Sequence, residues 1–98
     1  MTHDTERARA ALLAFFRAEG ITLEADDHFF TPAQWALRAE AHGNHALLVV
    51  QHDGGPLAPY FNWDYEDGAA LQHLNMALTP LGFYAEQCTS WYSGIYCI

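Results

Sequence analysis

The sequence predicts an α+β domain in which an antiparallel sheet of about four strands carries two helices packed on one face. Three observations lead there. Apolar residues recur at helical spacing over 5–19 and again after Asp67. The run Ala46–Gln51 is apolar and β-branched, the composition of a buried strand. Two aromatic-rich runs, Phe83–Cys88 and Trp91–Ile98, surround Thr89-Ser90 and read as a closing hairpin. The 98 residues make one domain, 1–98, long enough to bury about two-thirds of its unfolded surface.

The first helix, over 5–19, has Ala8, Leu12, Phe15 and Phe16 on its apolar face, with Arg7, Arg9 and Arg17 away from it. Asp4 or Thr5 is placed to accept hydrogen bonds from its first N–H groups, and Glu6 complements the dipole there. Gly20 is a natural left-handed stop, with Ile21 folding back onto Phe16. Ile21–Phe30 is then a connector whose acidic cluster, Glu24, Asp26 and Asp27, reads as a solvated loop. His28-Phe29-Phe30 anchors its end through the rings.

Thr31–His42 fits two elements. Thr31-Pro32-Ala33-Gln34 matches a capping box that opens an alanine-rich helix. Trp35, Leu37, Ala39 and Ala41 also alternate strictly with Ala36, Arg38, Glu40 and His42, the period of a half-buried strand. Helical spacing would bring Glu40 into the Trp35/Leu37 face, so the strand is preferred. Gly43-Asn44 would then turn it into Ala46–His52 as a hairpin.

The stretch from Leu47 to Glu66 starts as strand and breaks at Asp53-Gly54-Gly55-Pro56, a turn by residue chemistry. Beyond it Tyr60, Phe61, Trp63 and Tyr65 surround Asn62, Asp64 and Glu66. A second helix starts at Asp64 or Asp67, runs with a Leu71, Leu74, Leu78 and Leu81 stripe, and ends at Pro80 with Gly82.

Charge restricts the function classes. The chain carries twelve acids and four bases, a net of −8, and all four bases are arginines. Residues 39–98 hold six acids and no base. Such a surface repels phosphate backbones, which argues against direct nucleic-acid binding, and it attracts a basic partner. The longest strictly apolar run, Ala10–Phe16, is far too short to cross a bilayer. The opening MTHDTERAR lacks the build of a secretory signal, so the expectation is a cytoplasmic protein.

Catalytic signals are weak. There is no G-x-S-x-G elbow and no phosphate-cradling glycine loop, so a non-enzymatic role is expected. The alternative is a small metal-dependent enzyme or metal-binding module using His42, His45, His52 and Asp53. Solvent-exposed turn histidines are the simpler account, and neither a metal nor another cofactor is expected. Cys88 and Cys97 read as reduced, buried thiols, with a bridge open to them if they sit on paired strands.

The partner-binding candidates are Asp53, Tyr60, Trp63, Asp64, Tyr65, Glu66 and Asp67, where rings able to anchor an interface meet carboxylates. Over HDGGPLAPYFNWDY and EQCTSWYSGIY, about a quarter of the chain, the sequence resembles small acidic proteins of phages and mobile elements. That resemblance carries no catalytic motif. It implies an inhibitor of host defence enzymes, of which anti-CRISPR proteins are the familiar example. The occluded surface would be basic and nucleic-acid-binding. A homodimer is also left open.

Overall fold

The computed structural model describes residues 3–21, 28–38, 45–52 and 55–98, with the side chains of His3 and Glu66 excepted. Among the described residues four α-helices, α1 (His3–Ala18), α2 (Pro32–Ala36), α3 (Ala58–Phe61) and α4 (Ala69–Leu78), accompany four strands. The strands are β1 (Phe29–Phe30), β2 (Leu48–Gln51), β3 (Phe83–Gln87) and β4 (Tyr92–Cys97). They form one antiparallel sheet in the order β1-β2-β4-β3. The predicted α+β architecture is therefore the observed one, with α1 and α4 together on one sheet face.

Register explains how both sheet faces are filled. Leu48 pairs with Ile95, and Ile95 with Ala85, which puts all three on the face turned toward α1 and α4. There they meet Leu12 and Phe16 of α1, Phe61 of α3, and Leu71, Leu74 and Leu78 of α4. The intervening residues Phe30, Val49 and Tyr92 point to the opposite face, where Trp35 of α2 packs on them. Leu48, Val49 and Val50 are all buried because both faces of β2 are covered, so the apolar run shows no alternation.

α1 ends as its sequence predicts. Ile21 N–H donates to the Phe16 carbonyl at 2.8 Å and Gly20 N–H to that of Arg17 at 3.1 Å, with Gly20 at φ 80°. This is the paired Schellman bonding that glycine allows without a Cβ penalty. Its start differs from expectation. Thr5 lies inside the helix, buried, and its hydroxyl donates to the Leu47 carbonyl at 2.9 Å, tying α1 to the entry of β2.

The assignment of Trp35–Ala41 to a strand is overturned over its described residues. Thr31 Oγ1 accepts from Gln34 N–H at 3.2 Å, Gln34 Oε1 accepts from Thr31 N–H at 2.9 Å, and Pro32 opens the helix. Trp35 is fully buried as expected, but Leu37 is 89% exposed instead of facing the core. The capping box outweighed the alternation, which a lone buried tryptophan among alanines satisfies as well as a strand does. The place beside β2 belongs instead to Phe29 and Phe30, which pair with Val50 and Val49. His28 extends that edge, its Nδ1–H donating to the Gln51 carbonyl at 3.0 Å. Residues 39–44, and with them the predicted Gly43-Asn44 turn, lie outside the described residues, as does the acidic cluster at 24–27.

β3 is an edge strand whose outward backbone is met by a side chain. Ala85 N–H donates to Asn75 Oδ1 at 2.6 Å, and Asn75 Nδ2 donates to the Ala85 carbonyl at 3.1 Å. One asparagine thus copies the two bonds of a neighbouring strand and blunts the edge. Asn75→Ala is expected to cost about 1–3 kcal/mol and to promote concentration-dependent association. Denaturant titration and sedimentation measure the two effects. An unchanged midpoint would remove Asn75 from this role.

Candidate protein-binding face

The segment that carries the predicted binding residues runs from α3 to α4 and is built from short-range bonds. Leu57 and Phe61 are buried against the sheet and fix α3. The chain leaves α3 at Asn62, whose side-chain Oδ1 accepts from Asp64 N–H at 2.9 Å and whose carbonyl accepts from Tyr65 N–H at 3.1 Å. Such Asx bonding is how asparagine starts a turn. Gly68 N–H then donates to the Tyr65 carbonyl at 2.9 Å. Asp67 at φ 55° and Gly68 at φ 78° are both left-handed, and they swing the chain into α4. Asp67 is therefore not a side-chain cap for α4, whose N-cap position is Gly68.

Two contacts hold Trp63. Its backbone N–H donates to Gln87 Oε1 on β3 at 2.9 Å, and Gln87 Nε2 donates in turn to the Thr89 carbonyl at 3.1 Å. Its ring lies against the backbone of Gly68, where an added Cβ would collide with ring carbons Cε3, Cζ3 and Cδ2. Trp63 as a whole residue is nevertheless 52% exposed, and Tyr65, two residues on, is 43% exposed. Asp64 and Asp67 are exposed as well. Trp63, Asp64, Tyr65 and Asp67 are thus brought into one surface segment.

Tyr60 departs from that group. It is half-buried, its ring packs edge-on against Phe15 and Phe16, and its hydroxyl donates to Glu19 Oε1 at 3.1 Å. Burial, followed by the hydrogen bond to Glu19 and the charge of that carboxylate, raises its pKa above the ordinary phenol value. The other Glu19 oxygen lies 3.4 Å from His73 Nε2, so α1, α3 and α4 meet at this carboxylate. Tyr60 is a joint between helices. Asp53 and the Glu66 side chain lie outside the described residues.

The histidines divide differently from expectation. His45 is exposed, whereas His52 is 1% exposed and turned into the core. Its Nε2 lies 2.9 Å from Ser93 Oγ, which is wholly buried, and its ring stacks on Phe61 at 5.3 Å and 12°. The spacing is that of a nucleophile and its base, but both side chains are buried. His42 is outside the described residues, and among the described residues no group of three or more His, Cys, Asp or Glu is placed to hold a metal.

Both cysteines are free, Cys88 half-buried and Cys97 exposed, so the second is not the buried thiol expected. Cys97 pairs with Phe83 at one end of the hairpin and Cys88 lies beyond Gln87 at the other, which keeps them apart. Cys88 Sγ sits 3.9 Å from the Tyr96 hydroxyl, and Tyr96 stacks on Tyr84. Burial raises the pKa of Cys88, and it raises that of Tyr96 strongly with the neighbouring Cys88 adding to it.

Sequence reasoning missed Gly68, Gln87 and Asn62, which fix the tryptophan. Asn62 followed by an acidic turn was a readable signal, whereas the reach of Gln87 across 24 residues had none. Compared with known proteins, the chain matches no protein family, no curated protein and no solved structure. Among the described residues no helix is long and apolar enough to cross a membrane.

Proposed function

We propose that this protein is a non-enzymatic binding module that presents the Trp63–Asp67 segment to a basic surface of another protein. The observation that supports this is the exposed Trp63, its backbone N–H bonded to Gln87 and its ring resting on Gly68, next to exposed Asp64 and Asp67. Exposed tryptophan costs solvation, and a ring already fixed loses little entropy when a partner covers it. The net charge of −8, with no base after Arg38, favours a cationic partner over an anionic one. In the setting that the phage-like resemblance implies, the partner is a host defence protein whose nucleic-acid groove this face occludes.

The charges and the rings act at different stages. Long-range attraction is screened beyond about 10 Å at 0.1 M salt and speeds encounter, whereas ring burial is short-range and sets residence time. After partner identification by affinity capture, Asp64, Glu66 and Asp67 changed together to amides should mainly slow association. Trp63→Ala should mainly speed dissociation, at about 2 kcal/mol. Both rate constants measured across a salt series test this. Association unaffected by charge removal, or tight binding of DNA or RNA by the isolated protein, would overturn the reading.

A further inference from the structure

We infer that the group received on Trp63 is an arginine side chain of the partner, stacked on the indole and hydrogen-bonded at its edge by Asp64 and Asp67. The inference rests on the binding-face reading above and names the chemistry of the contact. One side of the indole is closed by the Gly68 backbone, yet half the residue is exposed, so an incoming group meets a flat ring on a fixed support. Asp64 follows the ring in the chain, and Asp67 precedes the glycine on which the ring rests.

An apolar occupant fits this segment poorly, because a group large enough to cover Trp63 and the exposed Asp64 and Asp67 that follow it would take water from carboxylates without giving them a donor. An anion would meet the charge of the whole chain. Of the two common cations, lysine carries a compact, strongly hydrated ammonium. The guanidinium is planar and weakly hydrated, and it can stack by its face while its edge N–H groups reach carboxylates. The chain uses the same contact internally. Arg7 lies 5.1 Å over the Phe83 ring, and Arg38 lies 5.2 Å over Phe30, 5.1 Å over Trp35 and 5.7 Å over Trp91.

The test titrates the protein at low salt with an oligo-arginine and an oligo-lysine peptide of equal length, following the Trp63 indole N–H resonance. The arginine peptide is expected to bind roughly three- to tenfold more tightly and to shift that resonance. Trp63→Ala should abolish the preference, Trp63→Phe should leave part of it, and Asp64→Asn with Asp67→Asn should weaken both peptides. Equal binding of the two peptides, or a preference that survives Trp63→Ala, overturns the arginine inference and leaves the acidic face standing. Binding of neither peptide overturns the face reading itself. Sedimentation of the protein alone completes the test: a dimer dissolved by Arg38→Ala would assign the ring to a second copy and overturn a heterologous partner.

Discussion

Trp35→Ala is expected to lower the unfolding free energy by about 3–5 kcal/mol, whereas Leu37→Asp should change it by less than about 0.5 kcal/mol. Trp35 is fully buried, with ring centroids 4.7 Å from Tyr92, 5.3 Å from Phe30 and 6.0 Å from Trp91. It is the side chain through which α2 covers the sheet face opposite α1 and α4. Truncation leaves a void between the ring of Phe30 on β1 and those of Trp91 and Tyr92 at the start of β4, and Arg38 loses one of the faces it stacks on. For a domain whose whole stability is on the order of 5–15 kcal/mol, this is a large fraction. Leu37, two residues on, is 89% exposed and has no such neighbours to lose. Denaturant midpoints for the two variants decide between helix and strand here. A mild Trp35→Ala and an unfolded Leu37→Asp would restore the hairpin pairing of 35–41 with β2.

That contrast shows what was legible in the chain. α1, the leucines of α4 and the β3–β4 hairpin each write their period within a dozen residues, and each appears where the sequence places it. Leu81 falls off the stripe because Thr79–Leu81 tightens into a 3-10 turn, which leaves its side chain 49% exposed. β1 could not be read, since two residues carry no period and Phe29-Phe30 becomes a strand only by pairing with Val50 and Val49. The capping box at Thr31 is legible, but setting Glu40 in the Trp35/Leu37 face of a helix presumes that Leu37 is core, and Leu37 is exposed.

The candidate site was legible in composition and not in construction. Aromatic and acidic residues at 63–67 announced an exposed face, and Trp63, Asp64, Tyr65 and Asp67 occupy one. The same composition placed Tyr60 with them, because sequence does not show that Phe15 and Phe16 of α1 approach its ring. His52 was misassigned for a related reason. β2 is covered on both faces, so its sequence gives no alternation from which the side of residue 52 could be read.

His52→Ala is expected to destabilise the domain by about 2–4 kcal/mol and to loosen the segment around Trp63 along with it. The substitution removes the ring stacked on Phe61 and the partner of the buried Ser93 hydroxyl. Phe61 is the last residue of α3, two positions before Trp63, so slack beneath it reaches the indole directly. The polar and packing contributions separate by substitution. Ser93→Ala alone should cost about 1–3 kcal/mol by leaving Nε2 without this partner. His52→Phe combined with Ser93→Ala replaces the pair by apolar groups of similar shape and should recover part of the loss, because neither polar group remains to be desolvated. Thermal or denaturant unfolding measures the cycle, and amide exchange at Trp63 and Gly68 measures the slack. A His52→Ala cost below about 1 kcal/mol with unchanged exchange would mean that α3 is held by Leu57 and the Phe16–Phe61 contact alone. The expected result instead makes the buried His52–Ser93 pair the underside of the candidate face, with Phe61 transmitting its order to Trp63.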